Sequence, residues 1–232
     1  MMSDQQWLEF GAALKRFHTS NIPANITGGI PKDHFSRRWR DGIKTILGSI
    51  EKQTFGEPIA LDLADFLTSK KGEILEIVRR AEQLAQLLRE QRPEFILCHS
   101  DIHGWNLFID HRGALYIVDW DGLIFAPRER DLMFIGGGHG YSGYTPQEEE
   151  TLFYQGYGQT NINQDAMAYY RYDRILNDLA EDCQLIFLSD EDDENRKEAL
   201  DDVKSMFLPI GKIEMAYQSD QNRNINKTQG GK

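Results

Sequence analysis

Three short runs of strand-forming residues interrupt a chain that is otherwise patterned for helices. They are "FILC" (95–98), "LFID" (107–110) and "LYIV" (115–118), with the turn-like "DHRG" (110–113) between the last two. Strands this few and this short read as a small β-rich insert between helical halves, with the hydrophobic core built by the helices. The polar residues packed between them in "LCHSDIHGWNLFID" (97–110) are therefore unexpected. Unpaired polar groups are costly to bury beside apolar strands, so such a cluster needs a reason.

The flanking segments carry helical periodicity. Trp7, Phe10, Leu14 and Phe17 share one face, and Ser3 and Asp4 offer N-caps, so a helix is expected over 4–18. The segment "SNIPANITGGIPKD" (20–33) reads as a loop. Trp39, Ile43, Ile46 and Leu47 mark a second helix, which also makes Lys44 a surface residue of that helix. Ile74, Ile77, Val78, Ala81, Leu84, Ala85 and Leu88 mark a third over 71–91, stopped by Pro93. Three further helical stretches follow the β-segment. The acidic run 189–195 lacks the glycine and spacing of an EF-hand and reads as a solvated turn. Residues 218–232 read as a polar, frayed tail.

Composition narrows the partners. A net charge of −11 disfavours nucleic acid, whose phosphates reward Lys and Arg, and suits a cationic ligand. No apolar run approaches the ~20 residues that span a bilayer. The start has no signal-peptide pattern, and Cys98 and Cys183 read as two reduced, buried thiols, so a cytoplasmic location is expected. No Cys/His pattern has zinc-ligand spacing.

The polar cluster has a chemical order. His99, Asp101 and Asn106 fit H-x-D-x-x-x-x-N, and Asp119 ends the returning apolar run. A strand delivers Asp101 to a loop, the loop returns at Asn106, and the hairpin brings Asp119 back beside it. That leaves one carboxylate to hold a hydroxyl and an amide–carboxylate pair to hold a hard cation such as Mg²⁺. Phosphoryl transfer asks for positioning and charge neutralisation of this kind. His103 is undecided: it either faces the cleft or packs behind it. Trp105 reads as loop packing.

"HSDIHGWN" followed by "YIVDWD" resembles the catalytic and metal-binding segments of the aminoglycoside phosphotransferase family, small-molecule kinases with a protein-kinase-like fold. "QWLEFGAALKRFHTSNIP" resembles the helix after that family's interlobe hinge, and "APRERDLMFIGGG" the segment after its metal aspartate. With "YYRYDRILNDLAED", these segments are most similar to the family's spectinomycin phosphotransferase branch, and the resemblance covers most of residues 5–215. It implies an α+β fold: a protein-kinase-like C-terminal lobe over 1–217, mostly α-helical, with a β-hairpin segment carrying the site. It implies Asp101 as the catalytic base, Asn106 and Asp119 as Mg²⁺ ligands, and His99 and Asp131 as supports of the loop. Asp121 would line the acceptor side. Asp178 and Asp182, four apart on one helix face, are acceptor-binding candidates, with a solvated acidic face as the alternative.

The implied activity moves the γ-phosphate of ATP or GTP to a hydroxyl of a cationic aminocyclitol antibiotic such as spectinomycin. A sugar, choline-like or nucleoside acceptor, and a non-catalytic remnant that binds a partner, are the competing readings. Only 98 residues precede His99, and the resemblance places all of them in the C-terminal lobe. The family's N-terminal lobe, with its phosphate-binding lysine, is thus expected to be absent through truncation or a misassigned start. On that reading the chain alone binds nucleotide weakly, turns over slowly or not at all, and self-associates through the exposed lobe face.

Overall fold

The computed structural model describes residues 2–137, 143–189, 191–209 and 211–229. Helices dominate, as the periodicity requires: α1 (Asp4–His18), α2 (Ala24–Thr27), α3 (Arg38–Ile50), α4 (Pro58–Gln91), α5 (Glu129–Leu132), α6 (Pro146–Tyr157), α7 (Gln164–Leu188), α8 (Asp193–Met206) and α9 (Lys212–Gln229). Four three-residue strands, β1 (Ile96–Cys98), β2 (Leu107–Ile109), β3 (Leu115–Ile117) and β4 (Ile124–Ala126), lie between α4 and α5. They form two antiparallel pairs, β1 with β4 and β2 with β3. The α+β expectation holds. The stretch expected as one lobe separates into two compact units, residues 1–34 with 92–167 and residues 35–91 with 168–232.

The first unit holds the β-segment. α1 begins at a reciprocal cap in which Ser3 accepts from the Gln6 backbone and Gln6 from the Ser3 backbone. Its buried face of Trp7, Phe10, Gly11 and Leu14 packs on α6. The two backbones approach closely at glycines: a Cβ at Gly11 would lie 2.1 Å from the Phe153 carbonyl oxygen, and one at Gly156 1.9 Å from that of Leu8. The Gln6 side chain also donates to the Gly113 carbonyl (2.9 Å), tying the hairpin turn to α1.

The second unit is helical. α4 starts at Pro58, well before the expected residue 71, because proline suits the first helical position and Glu57 accepts from the Ile59 and Ala60 amides (2.9 Å each). The polar interval around Gly72 hides this earlier half from a periodicity count. Buried Arg40 on α3 and Arg89 on α4 both donate to the Phe35 carbonyl, at 3.1 and 2.5 Å. Lys44 sits on α3 and pairs with Glu82, as expected of a surface helix position. Asp192 of the acidic run caps α8.

Two loop readings need correction. The segment 20–33 contains the single turn α2, and Lys32 bridges to Phe125 beside β4. The tail expected to fray from residue 218 continues as α9 through Gln229. Asp220 is buried and receives both Arg80 Nε and Nη2, and Ser219 receives Arg171 Nη1 at 2.6 Å. Partners distant in sequence, which local polarity cannot reveal, hold this helix.

Candidate active site

The site is built on the loop between β1 and β2 and on the hairpin that follows. β1 pairs with β4, setting Cys98 opposite Ile124. The chain then turns through Ser100, whose φ of 75° lies in the left-handed region that L-residues with side chains avoid. Asp131 from α5 holds that turn. Its fully buried carboxylate accepts from the His99 amide (2.8 Å) and the Ser100 amide (2.6 Å). Ser100 Oγ also donates to the Gly122 carbonyl (2.6 Å), fastening the loop to the segment after β3.

His18, at the end of α1, completes this brace. Its Nε2 lies 2.9 Å from the Asp131 carboxylate and its Nδ1 2.8 Å from the Tyr157 hydroxyl. Burial pushes the Tyr157 phenol up to about 12, so the phenol keeps its proton and donates to Nδ1, leaving Nε2–H for Asp131. Cys98 Sγ lies close by, and the ligand atoms of His18, Cys98 and Asp131 fall within 4.8 Å of one another. Each of them already has a hydrogen-bond partner, the thiol at the Ala126 and Pro127 carbonyls, and burial followed by the Asp131 charge raises the thiol pKa. The trio acts as a packed support, as the reading of Cys98 as a buried thiol expects.

His99 spans the loop and the returning strand. Its Nε2 donates to the Val118 carbonyl (2.9 Å), its Nδ1 faces the Asp101 amide (3.4 Å), and its ring meets Trp120 edge-on at 4.8 Å. Trp120 also packs on Phe17 of α1 (4.8 Å) and donates to the Ile117 carbonyl (2.8 Å).

The loop returns through a single 3₁₀ turn, Gly104–Asn106. Asn106 is buried and its amide nitrogen donates to the Asp101 carbonyl (2.8 Å), so its amide oxygen is the atom left for a hard cation. β2 and β3 pair with Leu107 opposite Ile117, and the Val118 amide donates to the Asn106 carbonyl (3.0 Å). The hairpin register thus sets Asp119 one residue beyond the partner of Asn106. Asp119 is exposed and adopts φ 62°, ψ 65°. A left-handed aspartate costs free energy that the surroundings must offset, and such residues cluster at working sites. The Asp101 carboxylate is partly exposed on the same loop and lies 3.3 Å from His103 Nε2.

One short loop and one hairpin therefore bring together Asp101, Asn106 and Asp119, with His99 and Asp131 behind them. The loop and hairpin thus carry an amide oxygen and two carboxylates, donor types that a hard cation accepts. The phosphotransferase enzyme family matches residues 3–171. The chain belongs to this family. Its fold is similar to that of spectinomycin phosphotransferase APH(9)-Ia in complex with ADP and spectinomycin, at 31% identity and a TM-score of 0.84, covering 95% of this chain and 67% of that one. The AMP-bound complex of the same enzyme matches at 32% identity and a TM-score of 0.81, with 93% and 66% covered. The chain spans about two thirds of the length of these relatives. A Plasmodium vivax ethanolamine kinase, 14% identical with a TM-score of 0.55 over 92% of this chain and 61% of its own, shares the fold alone. No curated protein sequence matches the chain.

Asp121 lies exposed in the 3₁₀ turn Trp120–Gly122, two residues past Asp119. Asp178 and Asp182 lie on α7 in the second unit. Asp178 is buried and engaged at 2.6 Å by both Arg174 and Lys212. Burial, reinforced by the Asp178 and Asp202 charges, pushes Asp182 up to about 7. Asp178 thus ties α7 to α9.

Sequence reading missed His18, Tyr157 and β4. His18 and Tyr157 lie 113 and 26 residues from Asp131, and no local pattern joins them. β4 did have a signal, the apolar run "LIFA" (123–126) before Pro127.

Proposed function

We propose that this chain carries the catalytic and metal-binding machinery of a phosphotransferase that moves the γ-phosphate of ATP or GTP to a hydroxyl of an aminocyclitol antibiotic such as spectinomycin. The observation that carries the reading is the hairpin register that returns Asp119 beside Asn106, on the same loop system as Asp101. In this reading Asp101 orients the acceptor hydroxyl and accepts its proton as the new P–O bond forms and the bond to the departing nucleoside diphosphate breaks. Asn106, through its amide oxygen, and Asp119 hold Mg²⁺, which when bound neutralises charge on the phosphate oxygens. His99 and Asp131 keep the loop in its left-handed turn, and Asp121 lines the acceptor side. Similarity to an enzyme solved with ADP and spectinomycin supports the nucleotide and the acceptor class.

Among the described residues no helix is long and apolar enough to cross a membrane. A cytoplasmic location belongs to the same proposal, supported by two free, buried thiols. Self-association is proposed through the exposed face bearing Trp105, Phe108 and Tyr116, and light scattering tests it.

The direct test follows label from γ-labelled ATP into spectinomycin. Asp101→Ala should fold normally and lose at least about 10²-fold in rate, the usual contribution of a positioned base. Asp119→Ala should lose activity together with the response to added Mg²⁺. Transfer by Asp101→Ala or Asp119→Ala at the parent's rate, however slow that rate is in this chain alone, refutes the proposal.

A further inference from the structure

The fold answers the question that sequence left open about His103. We infer that His103 is a positioning residue for Asp101, with its ring locked by the loop backbone in the Nε2–H tautomer so that it steers the Asp101 carboxylate. The inference rests on reading Asp101 as the base.

His103 caps the 3₁₀ turn Gly104–Asn106, and its Nδ1 accepts from the Trp105 amide at 3.2 Å. A nitrogen that accepts an N–H bond carries no proton itself, so the ring proton sits on Nε2. Nε2 lies 3.3 Å from Asp101 Oδ2, so a proton there faces the negative charge of the carboxylate. The other tautomer is disfavoured twice. It would aim Nδ1–H at the Trp105 amide, donor against donor, and the Nε2 lone pair at a carboxylate. Its one gain would be a bond from Asn106 Nδ2, which lies 3.4 Å from Nε2 and already donates to the Asp101 carbonyl at 2.8 Å. Two favourable contacts outweigh one, so the 3.4 Å approach is a contact between donors.

The same turn thus serves two residues. Its backbone sets the His103 tautomer and its last residue is Asn106, which grips the Asp101 carbonyl. Phe134 backs the His103 ring edge-on at 6.3 Å. Asp101 is held at its carbonyl by Asn106, and its carboxylate lies beside His103. Misplacing a reacting group by ~1 Å can cost about 10²-fold, so a donor that fixes one carboxylate oxygen matters to turnover more than to binding.

Three side chains separate this role from packing. Glutamine at 103 places an N–H donor near the Nε2 position, asparagine reaches only the Nδ1 position, and leucine fills the space with no polar atom. Expected: His103→Leu lowers kcat by about tenfold or more while KM for ATP and spectinomycin stays within about threefold. His103→Gln recovers most of kcat, and His103→Asn does not. Long-range ¹H–¹⁵N spectra of the histidine-labelled chain, with the His103 signals assigned through His103→Gln, should show Nε2–H in the parent and a shifted Nε2 in Asp101→Ala. Parent-like kcat in the leucine variant, glutamine no better than asparagine, or an Nδ1–H tautomer overturns the inference. If the parent transfers no phosphate, the tautomer and its shift in Asp101→Ala alone decide the His103 contact.

Discussion

Replacing Asp131 by alanine should destabilise the first unit by about 3–5 kcal/mol and release the start of the loop that bears Asp101. The side chain is fully buried, and its two oxygens satisfy the His99 amide, the Ser100 amide and His18 Nε2 at 2.8, 2.6 and 2.9 Å. Alanine leaves all three donors without that acceptor in a dry site. Each bond to a charged acceptor is worth roughly 1.5–3 kcal/mol, and because bonds to one group are not additive the three together are set at about 3–5 kcal/mol, below their sum. Ser100 adds to the loss, because its left-handed φ of 75° is held by the bond that disappears. For a chain of this size 1 kcal/mol moves Tm by about 2–4 °C, so Tm should fall by roughly 6–20 °C. Circular-dichroism melts measure the global effect, and amide hydrogen exchange locates it: His99 and Ser100 should lose protection more than helix α8 of the second unit. A Tm within about 2 °C of the parent, or unchanged protection at those two amides, would refute the brace.

Other outcomes follow from packing and charge. Gly156→Ala should cost about 1–3 kcal/mol in urea melts, because the new methyl would press on the Leu8 carbonyl with no flexible atom to yield. Asp182, raised by burial and its acidic neighbours to about 7, ionises later in the folded chain than in the unfolded one. Its contribution therefore weakens stability as pH rises from about 4 to about 7. Asp182→Asn should remove that slope and gain on the order of 1 kcal/mol at pH 8, a figure discounted for partial exposure, with little gain at pH 4. Asp220→Ala should cost roughly 1–3 kcal/mol and open α9 to limited proteolysis, since it removes the paired contacts to Arg80.

Much of the local structure could be read directly from the residues. The period of Trp7, Phe10 and Leu14 placed α1 at its observed bounds, Asp4–His18. The strand runs around "DHRG" gave the hairpin, because turn chemistry and alternation act over a few residues. The spacing from Asp101 to Asn106 and Asp119 followed from the same short-range rules. Local pattern failed where stability comes from distant partners. α9 reads as a polar tail until Arg80 and Arg171 reach Asp220 and Ser219 from other helices.

The sequence by itself determined that this chain is helical around a small β-segment and that His99, Asp101 and Asn106 precede Asp119 at kinase-like spacing. Tertiary structure alone decided how those groups are held. His18, Tyr157 and Asp131 come together from three helices. The His103 tautomer depends on ångström-scale contacts with Trp105 and Asp101. Periodicity records which face of an element is apolar. Hydrogen-bond direction in a buried site depends on which distant donor arrives at which atom, and only the folded chain specifies that.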